Sequence, residues 1–309
     1  MPRRQQPRRR ASQRPIFGVG NAAVGRRSSG MKMRLLMALA IAAFALISYY
    51  GNPGDVNRVT GESERVAFAE EADEMKLGLQ AKPEMVAQHG GESRDRQKCL
   101  RVEQTGRELL LALQAWIDAQ PTEPRAEERG IPYRFDFTLL ADPRTVNAFA
   151  LPGGQVFITE ALYDRLDVRG GNAELAGVIG HEIGHVIERH GNKRMAKQKL
   201  FSGLATAGGV AGGDVQSQQT AQMIANMVSM KYGREDELES DLWGVRLLAA
   251  AGYDPRAMIG VMKVLDEAGG GGGPPEMLST HPKPANRIEY IQQVIRAEFP
   301  NGLPRGLRL

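Results

Sequence analysis

The sequence predicts a mostly helical α+β domain with a small β-sheet, and three observations lead to this prediction. A chain of 309 residues suits one compact domain with extensions. Apolar residues recur at helical spacing in several long stretches. Two short runs rich in β-forming residues flank a Pro-Gly-Gly turn at residues 152–154, which indicates a hairpin. We divide the chain into a basic tail (1–34), an apolar segment (35–50) and the domain (51–309).

Charge is unevenly distributed along the chain. Residues 1–34 contain ten of the 40 Lys and Arg residues and no Asp or Glu, so the remainder has 30 basic against 36 acidic residues. Residues 1–30 are also rich in Pro, Gly and Ser, and we predict that they are disordered. The tail lacks interleaved aromatic residues and the domain is mildly acidic, so the sequence predicts no nucleic-acid partner.

Residues 35–50 form an uncharged apolar segment that follows Lys32 and Arg34. Sixteen residues are slightly fewer than the ~17–25 of a typical membrane span and also suit a signal sequence. No clear small-residue cleavage site follows, and Tyr49 and Tyr50 suit a membrane interface, so we predict an uncleaved signal anchor. The basic residues before it place the N-terminus in the cytoplasm and the domain outside. A cleaved signal sequence and a mitochondrial transit peptide are the alternatives.

For the first half of the domain, the sequence predicts two helices, then a small sheet and a further helix. Apolar spacing and the breaks at Gly and Pro residues define the boundaries. After a linker at residues 52–60, the predicted elements are helices at 67–78 and 102–119, a strand at 135–141, hairpin strands at 146–151 and 155–159, and a helix at 160–166.

For the second half of the domain, the sequence predicts a series of helices. In the first, at residues 172–190, Asn172 is a favourable N-cap, and Gly191 suits the position after the last turn. Gly- and Ala-rich residues 203–213 suggest a mobile connector over the site described next. Further helices are predicted at 215–231, 234–251, 256–267 and 284–299, with a glycine-rich flexible loop at 269–273.

The sequence His181-Glu182-Ile-Gly-His185 lies within the first of these helices. Residues four apart share a helix face, so both imidazoles can bind one metal ion, and zinc suits them. Glu182 can act as general base on a water held by that metal. Two hydrogen-bonded structural histidines are the alternative. Gly180 and Gly184 predict tight packing or space for substrate.

A third ligand distinguishes a catalytic zinc site from two structural histidines. A metzincin is excluded because Glu188 and Gly191 occupy the positions of its glycine and third histidine. The acidic run in the helix at 234–251 provides Glu237, with Glu235 and Glu239 as competitors. Asp241, one turn after Glu237, can accept the remaining N–H of a histidine ligand. Without the histidine motif, this run would indicate a solvated helix face.

Three segments together resemble the HtpX-like and CAAX-prenyl-protease-like zinc metallopeptidases, most closely the short BepA- or LoiP-like periplasmic members. They are residues 181–191, 237–241 and 279–282, and the resemblance covers about residues 59–296. It implies a zincin-like fold with the sheet beside the zinc cleft, one zinc ion per chain, and Glu237 as the third ligand. Ser240 departs from the family pattern, where alanine is usual.

The resemblance also implies roles outside the ligand set. The strand containing Asn147, Ala148, Phe149 and Ala150 lies beside the cleft and pairs with extended peptides. An imidazole near the metal can donate to the oxyanion of the reaction, which is one role for His281. The resemblance suggests instead that His281 blocks the open zinc position, and a structural histidine at a helix entry is the further alternative. Arg287 either neutralises a carboxylate in the cleft, among the substrate-binding residues, or forms a structural salt bridge.

These observations predict a membrane-anchored zinc metalloendopeptidase. Resemblance suggests misfolded or misassembled envelope proteins as its substrates, with the domain in the periplasm and the anchor in the inner membrane; a mitochondrial inner membrane ranks lower. One alternative is a zinc-containing holdase whose proteolysis is suppressed by His281. Another is a purely structural zinc site, which the intact Glu182 disfavours. We predict that His190 caps helix carbonyls. Cys99 is the only cysteine, so no internal disulfide forms.

Overall fold

The computed structural model describes residues 24–51, 53–120, 130–167, 172–212, 232–269, 276–281 and 286–309. Its helices are α1 Val24–Tyr50, α2 Glu71–Gln88, α3 Arg96–Ala119, α4 Glu160–Asp167, α5 Asn172–Ile187, α6 His190–Gly212, α7 Arg234–Ala250, α8 Ala257–Gly269, α9 Glu276–Thr280 and α10 Arg287–Glu298. Its strands are β1 Asp55–Val56, β2 Ser63–Glu64, β3 Asp136–Leu140, β4 Ala148–Leu151 and β5 Gln155–Thr159. The predicted mostly helical α+β class is confirmed.

The small sheet has β5 at its centre. Strand β3 runs parallel to β5 on one side, and β4 pairs antiparallel with β5 on the other, with Phe149 opposite Phe157. The predicted hairpin is therefore confirmed, and Gly153 and Gly154 both have positive φ angles in its turn. Strand β4 forms an edge of this sheet and lies against α5.

Helix α5 is the centre of the domain and is buried along almost its entire length. It packs chiefly against α7, with further contacts to α3, α8 and β4. Glycines allow the close approach: a methyl group on Gly180 would lie 3.4 Å from the Cα of Gly244, and one on Gly184 would lie 3.0 Å from the Cα of Ser240. Of the two predictions for these glycines, tight packing is the one that the structure supports. Ser240 is small because Gly184 faces it.

Replacing Gly184 by alanine is expected to lower the free energy of unfolding by about 1–3 kcal/mol. The added methyl would lie 3.0–3.2 Å from the Cα and O of Ser240 and the Cβ of Trp243, so α5 and α7 would have to separate. Thermal unfolding of the detergent-solubilised chain measures the effect. Gly208→Ala, in a helix with no heavy atom within 4 Å of the new methyl, is the matched control and should gain about 0.5–1 kcal/mol. Equal stability changes in the two variants would contradict this account of the packing.

The prediction of a mobile connector at residues 203–213 was wrong. Residues 203–212 belong to helix α6, and they pack on α1 instead of covering the site. Glycine and alanine have no large side chains, so they let two helices approach closely. A methyl group on Gly203 would lie 2.7 Å from the Cβ of Ala45. The low helix propensity of the glycines is thus outweighed by contact with a helix distant in sequence.

Helix α1 begins earlier than the apolar segment. Residues 24–30, predicted to be disordered, are helical and continuous with it. Its apolar stretch Gly30–Tyr50 contains 21 residues, which is long enough to cross a membrane. The predicted helix at residues 215–231 and all but the first residue of the predicted loop at 269–273 lie outside the described residues, as does the tail before Val24.

The connection between α5 and α6 holds the segment that follows α1. Arg189 adopts a left-handed conformation with φ 53° in this connection, and Gly191, which we predicted to follow the last turn of α5, lies within α6 instead. The buried guanidinium of Arg189 donates to Glu74, Asp55 and the carbonyl of Phe68. These hydrogen bonds link the segment after α1 to the end of α5.

Most other boundaries lie within a few residues of the prediction. The main exception is α2, predicted at residues 67–78, which begins later and continues through Pro83 to Gln88. Helix α3 begins six residues before its prediction because the Asp95 side chain accepts hydrogen bonds from the backbone N–H groups of Gln97 and Lys98. This N-cap went unrecognised in the sequence.

Candidate metal centre

Four side chains converge between α5 and α7. His181 and His185 lie one turn apart on α5, Glu237 is in the first turn of α7, and His281 directly follows α9. All four are buried, and their potential ligand atoms lie within 4.8 Å of one another. The Nε2 atoms of His181 and His185 are 3.1 Å apart, and Oε1 of Glu237 is 3.5 Å from Nε2 of His185. Two nitrogens and a carboxylate thus face one point.

Asp241 and Arg287 orient His181. The Nδ1 of His181 lies 3.1 Å from Oδ1 of Asp241, so the imidazole donates its Nδ1–H and directs the Nε2 lone pair towards the centre. Arg287 donates to both carboxylate oxygens of Asp241, from Nε at 2.8 Å and from Nη2 at 2.6 Å. Burial alone would raise the pKa of Asp241, but the guanidinium lowers it, so the carboxylate stays ionised.

His190 and Glu239 orient His185 in the same way. The Nε2 of His190 lies 2.9 Å from Oε2 of Glu239 and donates to it, which leaves the Nδ1 of His190 as an acceptor. That Nδ1 is 2.8 Å from Nδ1 of His185. His185 must then donate its Nδ1–H to His190, and its Nε2 lone pair faces the centre. The prediction that His190 caps helix carbonyls was therefore wrong: it is fully buried at the start of α6 and extends the network around the centre.

Glu182 has no hydrogen-bond partner for either carboxylate oxygen among the described residues, although its side chain is fully buried. The imidazole of His281 lies close by, with Nε2 3.8 Å from Oε1 of Glu182. Burial raises the pKa of Glu182. An isolated buried carboxylate of this kind is unfavourable for stability, so its orphaned oxygens indicate a ligand or a water with which it works.

The charge of the centre shows that a divalent cation fits. Glu182, Glu237 and Asp241 are buried carboxylates, whereas Arg287 is the one buried guanidinium among the described residues around them. Buried charges are costly unless they are compensated, and with the histidines in their neutral, metal-binding form this set has two more negative than positive groups. Oε2 of Glu237 also lacks a hydrogen-bond partner within the described part of the chain. A donor set of two imidazoles and a carboxylate is typical of catalytic zinc.

The pKa shifts agree with this ligand set. Burial lowers the pKa of His185 well below its usual value, which favours the neutral ligand form. Burial opposes the rise in the pKa of His181, but hydrogen bonds to Asp241 and Glu237 raise it to about 9, so a metal ion displaces a proton there. For Glu237, burial acts to raise the pKa, and the three neighbouring histidines outweigh it and lower the pKa.

His281 lies against the two histidines and Glu237 of the centre. Its Nδ1 is 3.1 Å from Nε2 of His185 and 3.0 Å from Oε1 of Glu237. Only 1% of the residue surface is exposed. Of the roles considered from the sequence, this position fits a group that blocks the site. Pro282, which follows it, lies outside the described residues.

Arg287 lies behind the centre and not on an open cleft. Besides its bonds to Asp241, its Nη1 is 3.0 Å from Oε2 of Glu237, and the residue is 1% exposed. A place among the substrate-binding residues is one of the two roles that the sequence predicts for Arg287. The structure favours the alternative of a salt bridge, here to the carboxylates of the centre.

Strand β4 and Tyr232 form the wall of the site. The ring of Tyr232 stacks on His185, with centroids 4.1 Å apart, and burial raises its pKa to about 12. Ala150, Tyr232 and His185 line one small cavity, so the edge strand reaches the centre. Asn147 and Ala148 are buried, and Phe149 stacks on Phe157. Tyr232 was missed because no motif marks it; it precedes the Gly233 N-cap of α7.

Comparison with known proteins agrees with this geometry. The pattern of peptidase family M48 matches residues 112–295, which is more than half of the chain. The chain belongs to peptidase family M48. Residues 181–185 and 237, which build the centre, all lie within the matched segment. This chain therefore contains a metallopeptidase domain, and the family resemblance drawn from its three motifs is confirmed.

Several characterised members of family M48 are similar in sequence. Mitochondrial metalloendopeptidase OMA1 of Arabidopsis thaliana is 34% identical over 155 residues, covering 50% of this chain and 30% of the relative. The Beta-barrel assembly-enhancing protease of Escherichia coli K12 is 33% identical over 166 residues, covering 50% and 33%. Metalloprotease YcaL of the same strain is 26% identical over 170 residues, covering 54% and 63%. The chain thus spans about a third of the length of the first two.

Proposed function

We propose that this M48 protein is a zinc-dependent metalloendopeptidase with His181, His185 and Glu237 as zinc ligands and Glu182 as general base. One observation carries the proposal: a fully buried Glu182 without hydrogen-bond partners in the described structure lies beside a convergent two-histidine, one-glutamate set. A structural zinc site has no use for such a base. The holdase alternative also keeps the ligands, so a test of hydrolysis is needed.

Each residue has a defined part in this proposal. Zinc, when bound, supplies Lewis acidity that activates water and polarises the scissile carbonyl. Glu182 takes the proton of the attacking water and then delivers it to the leaving amine. Asp241 and His190 keep the two imidazoles in the tautomers that leave Nε2 free. Arg287 holds Asp241 and Glu237 in place.

Strand β4 is the proposed substrate-binding element. Among the described strands it pairs with β5 alone, so its other edge is available to an extended polypeptide. Backbone pairing along Ala148, Phe149 and Ala150 does not read the substrate's side chains. The N–H and the carbonyl of Asn147 are hydrogen-bonded to Thr159, so Asn147 is proposed to position the start of this strand. The position of Ala150 beside His185 and Tyr232 supports this role. Polypeptides of varied sequence are the expected substrates.

Membrane anchoring and envelope substrates are the finer part of the proposal. Helix α1 is apolar and long enough to span a membrane, and Met33, Leu36, Leu39, Phe44 and Ile47 on it are more than half exposed. A relative named for β-barrel assembly supports misassembled envelope proteins as substrates, with the domain in the periplasm and α1 in the inner membrane. A relative from mitochondria supports the mitochondrial inner membrane as the alternative.

Casein hydrolysis by the detergent-solubilised full chain tests the function. Zinc-loaded protein should cleave casein, treatment with a strong chelator should abolish cleavage, and added zinc should restore it. Binding of unfolded casein that persists without zinc, with no cleavage under any condition including the His281 variant below, would favour the holdase.

Replacing His281 by alanine is expected to increase casein hydrolysis by about tenfold or more, since the imidazole takes the position that water and substrate need. Initial rates at saturating zinc measure the effect. Met277→Ala, which shortens a buried side chain on α9 without touching the centre's ligands, controls for loosening of this segment. A strong fall in the rate of His281→Ala alone would instead assign His281 to transition-state stabilisation.

A further inference from the structure

A groove lies between α1 and α6 at the end of α1 nearest the domain. Its volume is about 380 Å³, and it is open to the surface. Apolar walls come from both helices, and polar groups collect at one end. The residues that determine its character are Ile41, Phe44, Tyr49, Arg65, Lys199 and Leu200.

Two cations mark the polar end of the groove. The guanidinium of Arg65 lies over the rings of Tyr49 and Tyr50, at 5.9 and 5.5 Å from their centroids. The ammonium of Lys199 lies 4.7 Å from the centroid of Phe68 and donates to the carbonyl of Ala67. Within the described part of the chain, neither cation has an ion pair with a carboxylate. Each therefore has capacity to bind an anion.

Both helices become uncharged at this same level. From Leu200 to the end of α6 at Gly212 there is no Asp, Glu, Lys or Arg, and α1 is uncharged from Leu35 to Tyr50. Lys199 lies near the Tyr49 end of α1, whereas Gly203 meets Ala45, so α6 runs antiparallel to α1 and back along its apolar part. Two tyrosines and two cations at the edge of such a pair are typical of a membrane interface.

We propose that this groove binds one anionic phospholipid from the leaflet next to the catalytic domain. Arg65 and Lys199 bind the phosphate, and the acyl chains lie along Phe44, Ile41 and Leu200. The inference rests on membrane anchoring through α1 as proposed above. Charge complementarity at one end and continuity with an apolar span at the other select a phospholipid over a soluble anion.

The lipid site is connected to the catalytic domain. Helix α6 begins at His190, which contacts His185, and it passes Lys199 less than three turns later. The segment around Arg65 is held by Arg189 and Asn192 at the junction of α5 and α6. A bound lipid would therefore join the anchor, this segment and α6 into one unit and set the height of the site above the membrane.

Native mass spectrometry of the detergent-solubilised full chain tests the proposal. The probes are dioctanoyl-phosphatidylglycerol, dioctanoyl-phosphatidylcholine and glycerol 3-phosphate. The test variant is Arg65→Gln/Lys199→Gln, and the matched control is Lys76→Gln/Lys197→Gln, which removes two exposed lysines, one of them on α6. Flotation with phosphatidylcholine vesicles measures anchoring separately, and casein hydrolysis with circular dichroism monitors folding.

We expect the native chain to bind one phosphatidylglycerol. The test variant should bind it about thirtyfold more weakly, because each cation near a lipid surface contributes roughly a factor of five to the affinity. The control variant should bind like the native chain, phosphatidylcholine should bind more weakly, and glycerol 3-phosphate should not compete. Equal phosphatidylglycerol binding by native and test variant, or full competition by glycerol 3-phosphate, would overturn the lipid site. If the native chain does not float with the vesicles, the proposed membrane anchor is refuted. If the native chain floats and binds phosphatidylglycerol but does not cleave casein, only the catalytic proposal is contradicted.

Discussion

Replacing Glu182 by glutamine is expected to lower casein hydrolysis by about 10³-fold or more while zinc stays bound. The amide is nearly isosteric but cannot accept a proton. Glu182 is not among the convergent ligand groups, so the change leaves His181, His185 and Glu237 intact. Removing a buried charge without partners should also leave the fold as stable or more stable. Rates are compared at equal zinc content, measured by elemental mass spectrometry.

The matched control is Glu174→Gln, the same change in the first turn of the same helix and away from the centre. It should retain native activity and zinc. If Glu182→Gln cleaves casein at the native rate, Glu182 is not the base. If native protein and both variants bind unfolded casein equally and none cleaves it, even with His281 replaced, the holdase function is the better description.

Replacing Glu237 by alanine is expected to remove zinc binding and activity together. Residues that only hydrogen-bond to a metal ligand typically contribute about 10–100-fold to metal affinity. The loss of zinc affinity in Glu237→Ala should be larger, because this change removes a ligand itself. The side chain is fully buried, and it is the one carboxylate in the convergent set. Competition with a chromophoric chelator gives the zinc affinity, and casein hydrolysis at stoichiometric zinc gives the activity.

The variants Glu235→Ala and Glu239→Ala test whether the third-ligand role belongs to Glu237 and not to its acidic neighbours on the same helix. Glu235 is exposed and should behave as native protein. Glu239 accepts from His190, so its loss should weaken zinc binding by only about 10–100-fold through His185. Zinc retained by Glu237→Ala at native affinity, or lost from Glu235→Ala, would show that the third ligand is misassigned.

The chemistry of the centre could be predicted from the sequence because its main residues lie close together in the sequence. His181 and His185 share a helix face at any helix orientation, and Glu182 stays next to them. Glu237 was selected over Glu235 and Glu239 by resemblance, and the structure buries Glu237 within the convergent group while Glu235 is exposed. Asp241 follows on the same face and lies where the Nδ1 of His181 requires an acceptor.

Contacts between distant segments produced the differences from prediction. His190 is five residues after His185, but its role depends on Glu239, which α7 brings from 49 residues away. Arg189 accepts a left-handed conformation because Glu74 and Asp55 pair with it. No local pattern marks either set of partners.

The residues 203–212 give the clearest contrast. Their four glycines disfavour an isolated helix, and the sequence predicted a connector. Once α1 lies alongside, the same small side chains allow close packing, with Gly203 against Ala45, and the helix forms.

The sequence by itself determined the mostly helical α+β class, the two-histidine motif with its base, the hairpin, and the apolar segment before the domain. Each depends on spacing within one element, where helix or strand geometry relates neighbours directly. Only the tertiary structure decided the tautomers of the two histidines, the position of His281 and the groove beside Lys199. These depend on burial and on partners supplied by other elements, and their energies arise only when the chain is folded.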